Sequence, residues 1–166
     1  DVGRTAIGSR VWSKPGPLTA VEREQVRLHP YHTDRVLARS PFLSELASIA
    51  TAHHERLDGS GYHRGLDKSS LSRAARLLAV ADAFQSKTEP RPYREPLSPK
   101  EATEALVGKA REGGFDPVMV MAVAEAAGQA RPAIARPAGL TEREAEVRYA
   151  QGVLEITGGP GDRASA

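Results

Sequence analysis

His29, His53, His54 and Asp82 are metal-ligand types placed on stripes that otherwise carry apolar residues. An ionised carboxylate in a run such as Leu-Leu-Ala-Val-Ala-Asp-Ala-Phe is costly to bury unless a cation or hydrogen-bond donors lie beside it. Any one of the four, taken alone, reads more readily as a hydrogen-bonded core histidine or a helix-surface aspartate. Together, on converging faces, they read as a nitrogen and oxygen ligand set for a divalent ion. With no cysteine in the chain, a thiolate site is excluded.

The run after the paired histidines is His53-His54-Glu55-Arg56-Leu57-Asp58-Gly59-Ser60-Gly61-Tyr62-His63. Its Asp58-Gly59-Ser60-Gly61 segment also suits a plain tight turn, since glycine takes positive φ freely and aspartate caps its own backbone. Further on, Arg91, Tyr93 and Arg94 sit among Pro90, Pro92 and Pro96. Guanidinium groups there suit bidentate contact with phosphate and tyrosine suits stacking on a base; the alternative is a solvated loop.

Helices must position these groups. Thr19 and Glu22 stand at capping-box spacing, and Val26, His29, Thr33 and Val36 or Leu37 share a stripe, which predicts one helix from Thr19 to Leu37. Leu43, Leu46, Ala50, His53 and His54 predict a second from Phe42 to His54, with one buried side. A third is expected from Ser72 to Ser86, with Ala74, Leu77, Leu78, Ala81 and Asp82 on one face. Two more follow over Ser98 to Arg111 and Pro117 to Ala127. No segment alternates with strand period for long, so the expected class is all-α. Residues 128 to 139 are rich in Ala, Arg, Gly and Pro and read as a linker. A short helix opening on the Thr141 to Glu144 capping box is expected next, then a mobile tail over Gly158 to Ala166.

Composition bounds the function. The 23 basic and 21 acidic side chains leave a net charge of +2, so phosphate binding has to be local rather than a property of the whole surface. No apolar run approaches the about 18 residues that cross a bilayer, and nothing at the start reads as a secretion signal. The expectation is a soluble cytoplasmic chain with no membrane partner.

With these residues in view, the chain resembles the HD-GYP family of HD-superfamily phosphohydrolases over nearly all of residues 1 to 128. Besides the glycine loop, the resemblance is carried by Lys14-Pro15-Gly16-Pro17-Leu18-Thr19, His29-Pro30, the Ala75 to Phe84 run, Arg91-Pro92-Tyr93-Arg94 and Phe115-Asp116-Pro117. It implies an HD-domain-like helical bundle over residues 1 to 127 with two or three iron or manganese ions. The implied activity is hydrolysis of cyclic di-GMP to the linear dinucleotide or GMP. By the same resemblance, Asp1, His29, His53, His54 and Asp82 are metal ligands, and the catalytic residues are Asp1, which bridges the metals, and Arg4, which lies near the scissile phosphate. Arg4, Asp58, Gly61, Tyr62, Arg91 and Arg94 then meet the substrate.

Three departures stand out. The chain opens at Asp1, so the histidine of the HD pair is not in it, and the expectation is a bundle incomplete at its N-terminus. Arg4 replaces the usual lysine, and His63 replaces the proline of the signature and reads as an exposed loop histidine; neither His63 nor His32 receives a role. Leu140 to Val147 resembles the start of a LuxR-type helix-turn-helix, but one helix does not make a DNA-binding domain, so DNA is not an expected partner. Three functions compete: a cyclic di-GMP phosphodiesterase, a non-catalytic module that binds nucleotide or a protein, and a phosphohydrolase for another nucleotide. GGDEF-type or other signalling proteins are candidate partners, and uncovered apolar stripes favour self-association into a homodimer.

Overall fold

Prolines and side-chain caps fix where the helices begin. In the computed structural model, which describes residues 1–91, 94–130, 141 and 143, a 3₁₀ turn Val2–Ala6 precedes α1 (Ser9–Trp12), α2 (Ala20–Arg27), α3 (His29–Leu37) and α4 (Pro41–Ala50). After the glycine-rich loop come α5 (Arg73–Thr88), α6 (Pro99–Arg111) and α7 (Pro117–Ala126). Among the described residues there is no strand, only the isolated bridges Asp58–Asp67 and Arg91–Arg94. The all-α expectation holds. The Thr19 hydroxyl accepts from the Glu22 N–H at 3.2 Å while the Glu22 carboxylate accepts from the Thr19 N–H at 2.7 Å. Ser98 and Glu101 repeat the device at α6, and the Asp116 carboxylate caps α7 through the Val118 N–H at 3.0 Å.

The single helix expected over Thr19 to Leu37 is two helices with a break at Leu28. Pro30 is the cause, because it has no N–H to offer the Val26 carbonyl and instead starts a new helix at its second position. The helix expected to reach His54 stops at Ala50, so His53 and His54 stand on the turn that follows it.

Helix α3 packs on the 3₁₀ turn and on α4, α4 packs on α5, and α5, α6 and α7 pack on one another. The main core joins the last three helices through Ala79, Val80, Ala83, Leu106, Val107 and Ala110, closed by Phe115, Met119 and Val120. A smaller cluster of Ala52, Leu71 and Ala75, with Leu57 and Leu66 against it, lies under the glycine loop.

Two expected stripes are displaced. On α5 the buried residues are Ala75, Ala79, Val80 and Ala83, whereas Leu77 is 42% exposed. On α4 only Ala47 is buried, and Phe42, Leu43 and Leu46 are 76%, 37% and 49% exposed. In both helices the small side chains face inward, where they let neighbouring backbones approach, and the larger ones stand outside. The linker beyond Ala130, the Thr141 to Glu144 capping box as a whole and the expected tail lie outside the described residues.

The displaced stripe is testable. Leu106→Ala, at a residue 1% exposed in the main core, is expected to cost about 2–5 kcal/mol of stability. Leu46→Ala, on the stripe the sequence pattern favours, is expected to change it by less than about 0.5 kcal/mol. Urea denaturation of both variants checks the assignment, and equal losses would contradict it.

Candidate metal and phosphate site

The site begins where the chain makes its tightest backbone approach. A Cβ on Gly3 would lie 2.0 Å from the His29 carbonyl oxygen and 2.4 Å from the Thr33 nitrogen, so only glycine lets the 3₁₀ turn seat on α3. The Gly3 N–H donates to Thr33 Oγ1 at 3.0 Å. The Thr33 hydroxyl in turn lies 3.3 Å from Asp1 Oδ1 and 3.0 Å from the His29 carbonyl. This seating brings Asp1 Oδ2 to 3.3 Å from His29 Nε2 and 3.8 Å from His53 Nε2.

Both of those histidines spend their other nitrogen on a backbone carbonyl. His29 Nδ1 lies 2.5 Å from the Val26 carbonyl, the acceptor that Pro30 leaves without an N–H, and His53 Nδ1 lies 2.8 Å from the Ala50 carbonyl. A carbonyl only accepts, so each Nδ1 carries the proton and, in the neutral ring, each Nε2 carries a lone pair. Yet the two Nε2 atoms are 3.0 Å apart. Two lone pairs at that distance repel unless a positive centre stands between or beside them. Protons are disfavoured there: burial pushes the His29 imidazole down to about 4 and the His53 imidazole down from its ordinary value.

His54 completes the cluster. Its ring lies 4.2 Å from that of His53 and 4.9 Å from that of His29, and the three residues offer nitrogen atoms all within 4.8 Å of one another. Burial first, then its histidine neighbours, hold His54 down to about 2. Asp82 Oδ2 stands 3.6 Å from His54 Nδ1. Asp82 is half-exposed at 38%, less enclosed than the apolar run around it predicts, because it projects from α5 beside a cavity. The arrangement fits a divalent ion. Three neutral imidazoles and two carboxylates supply borderline nitrogen and hard oxygen donors, and the Nδ1–H to carbonyl bonds are the support that ligating histidines commonly have.

The glycine loop is organised by a residue to which sequence reasoning gave no role. Glu55 is 1% exposed, and its two carboxylate oxygens accept from the Arg64 N–H at 2.8 Å and the Leu66 N–H at 2.9 Å. Gly61 packs so closely on this segment that a Cβ would come within 2.4 Å of Glu55 Cα. The result is to lay Tyr62 against His54, with ring centroids 4.7 Å apart. Burial raises the Tyr62 phenol to about 12, so it remains a hydrogen-bond donor throughout the neutral range.

Asp58 turns inward on its own loop, accepting from the Ser60 N–H and hydroxyl at 2.9 and 2.6 Å. Those bonds, led by the Ser60 hydroxyl, lower its pKa. His63, expected to be an exposed loop residue, is half-buried, and burial lowers its pKa. The glycines beside it fold the loop back on α3, where Arg64 pairs with Asp34 at 3.1 Å.

A cavity of about 450 Å³ opens over the cluster. It gathers Asp1, Arg4, His29, His54, Tyr62, Asp82, Arg91 and Arg94 from the expected site residues; His53 lies behind them, and Asp58 and Gly61 do not line it. Tyr93 falls outside the described residues. The cavity adds Trp12, Arg56, Lys87 and Lys109. Arg56 is half-buried beside the loop, its guanidinium 4.5 Å from the Phe115 ring centroid and donating to the Glu55 carbonyl at 2.7 Å. Six cationic side chains thus face two carboxylates, in a chain whose net charge is only +2. The local field selects anions. Arg56 and Glu55 had a sequence signal, their place inside the paired-histidine run; Lys87 and Lys109 had none, since only the packing of α5 on α6 brings them together.

The family described as the HD domain matches residues 1–119. The chain is 42% identical over 114 residues to a cyclic di-GMP phosphodiesterase of Thermotoga maritima, covering 66% of this chain and 31% of that one. It is 39% identical over 125 residues to the cyclic di-GMP phosphodiesterase response regulator RpfG of Xanthomonas campestris, covering 74% and 33%. It is also 34% identical over 127 residues to a 3'3'-cGAMP-specific phosphodiesterase of Vibrio cholerae, covering 76% and 27%. The chain therefore spans about a third of the length of these curated relatives.

Two outcomes follow from the geometry. Glu55→Gln keeps the volume but points an amide NH₂ at one of two backbone N–H donors, so it is expected to lower stability by about 1–3 kcal/mol in urea denaturation; an unchanged midpoint would contradict the role of Glu55. In the chelated, metal-free chain, His29 and His54 refuse protons that the unfolded chain binds near its ordinary value of 6.5. The unfolded state therefore gains protons first on acidification. Their contribution to stability is full above pH 6.5, falls towards about 4 for His29 and continues lower for His54. Unfolding between pH 7.5 and 5 should show this loss, and His29→Gln with His54→Gln should flatten it.

Proposed function

Since this chain belongs to the HD-domain family, and within it to the HD-GYP branch, we propose that it carries the catalytic chemistry of a metal-dependent phosphodiesterase that hydrolyses cyclic di-GMP. The observation that carries the reading is the pair of Nε2 lone pairs at 3.0 Å with both Nδ1 protons committed elsewhere. Asp1, His29, His53, His54 and Asp82 would hold two or three divalent ions, iron or manganese as the HD-GYP resemblance implies, and imidazole and carboxylate donors suit both. Such ions, when bound, act as Lewis acids on phosphoryl oxygens and lower the pKa of water.

The remaining work falls to the chain's own side chains. Arg4, stacked at 4.1 Å over Trp12, offers a positioned guanidinium at the mouth of the cluster. Arg91 and Arg94 are fixed as a pair by reciprocal backbone hydrogen bonds of 3.1 Å, and Arg94 also donates to the Ser86 carbonyl. These cations would grip the two phosphates of a cyclic dinucleotide and hold one of them towards the histidines. Tyr62, neutral and wedged on His54, would orient the phosphate by donating a hydrogen bond. Asp1 and the neutral imidazoles would supply lone pairs to the ions, while the arginines that line the same cavity would hold the phosphate.

The relative specific for 3'3'-cGAMP favours a second reading in which one base is adenine. Purification under anaerobic conditions with iron or manganese, followed by turnover of cyclic di-GMP and 3'3'-cGAMP, tests both. The expected result is bound metal and faster turnover of cyclic di-GMP, with His54→Ala losing metal by more than the about 10- to 100-fold of an outer-shell change. Turnover unchanged in His54→Ala would contradict the reading, and faster turnover of 3'3'-cGAMP would select the alternative base.

A further inference from the structure

A second cavity, of about 510 Å³, adjoins the first and shares Arg4, Trp12, Val26 and Arg91 with it. Its character differs. Trp12, Val11, Pro17 and Leu18 give it apolar walls, and Lys14 and Arg23 stand among them. Trp12 lies at the junction, where its indole N–H donates to the Arg4 carbonyl at 3.2 Å and its ring meets His29 edge-on, centroids 6.0 Å apart. The loop that forms the far wall is held in place: Lys14 pairs with Glu22 at 2.6 Å, and that same carboxylate closes the cap of α2. Arg23 reaches the Leu18 carbonyl through a long hydrogen bond of 3.4 Å, one that a better acceptor would displace at little cost.

We propose that this second cavity is the subsite for one guanine base of the dinucleotide, with Trp12 as its stacking platform and Arg23 as the group that reads its edge. The inference rests on the cyclic dinucleotide reading. The first cavity, with its carboxylates, imidazoles and cations, is built for phosphate, and a cyclic dinucleotide must also place two flat, largely apolar bases. One indole face carries the Arg4 guanidinium at 4.1 Å, and the other, beside apolar walls, meets that need. A guanidinium suits guanine in particular, because O6 and N7 present two acceptors side by side, whereas adenine presents one acceptor and one donor. Arg23 is thereby the specificity-determining residue and Trp12 the stacking platform, both adjacent to the metal cluster and outside its ligand set.

Trp12 is the chain's one tryptophan, so its emission reports the junction of the two cavities, and Arg23, which lines the second cavity and not the first, separates them. The experiment titrates the full chain with cyclic di-GMP in the presence of a chelator, following tryptophan fluorescence and calorimetry in parallel. The manganese-loaded chain is titrated in the same way with a hydrolysis-resistant phosphorothioate analogue of cyclic di-GMP. The expected result is heat of binding accompanied by a change in emission, and binding of cyclic di-AMP weaker by about 5-fold or more. By calorimetry, Trp12→Leu should weaken cyclic di-GMP binding by about 5- to 100-fold and Trp12→Phe by much less. Arg23→Ala, on an exposed side chain, should narrow the difference between the two dinucleotides without altering the unfolding midpoint. Binding with no change in emission and no effect of Arg23→Ala would overturn the subsite and leave the cyclic di-GMP reading standing. No heat of binding with or without manganese would overturn both.

Discussion

Two imidazole nitrogens face each other at 3.0 Å because the chain gives their partner nitrogens nowhere else to go. The His29 Nδ1 proton belongs to the Val26 carbonyl, and the His53 Nδ1 proton belongs to the Ala50 carbonyl. Each carbonyl is the product of an interrupted helix, one broken by Pro30 and the other ended at Ala50. Tautomer, orientation and mutual repulsion are thus built into the backbone. The third histidine, two carboxylates and the surrounding cations are arranged around that pair, and the chemistry of the site depends on relieving it with positive charge.

The same two interruptions explain what was legible in the sequence and what was not. The all-α class, the cap at Thr19 and the helices over Ser98 to Arg111 and Pro117 to Ala127 were readable from local residue type and spacing, and the grouping of His29, His53, His54 and Asp82 from their shared ligand chemistry on apolar stripes. The break at Leu28 was also encoded, since a proline two residues later cannot continue a helix, but the continuous stripe from Val26 to Leu37 obscured it. Periodicity counted His53 and His54 as helix; they stand on the turn beyond α4, which is why both rings can reach His29.

The displaced stripes have a different origin. In α5, leucines and alanines occupy adjacent faces, and an apolar pattern does not say which face a neighbour covers. The packing of α6 and α7 selected the alanines. Glu55 and Arg56 were visible in the run but could be given no part, because their partners, Arg64, Leu66 and Phe115, are distant in sequence. The role of Trp12 was hidden for the same reason. Only the seating of the 3₁₀ turn on α3, through Gly3, brings it beside His29. In each case local chemistry was encoded locally, while the choice of partner came from long-range packing.

Histidine side-chain ¹⁵N resonances measure the central claim directly. In the metal-free chain at neutral pH, His29 and His53 should each be protonated at Nδ1 and bare at Nε2. Adding a diamagnetic divalent ion such as Zn²⁺ should shift both Nε2 resonances and leave the Nδ1 protons in place. Protonation at Nε2 in either ring, or Nε2 resonances that do not respond to the ion, would contradict the account.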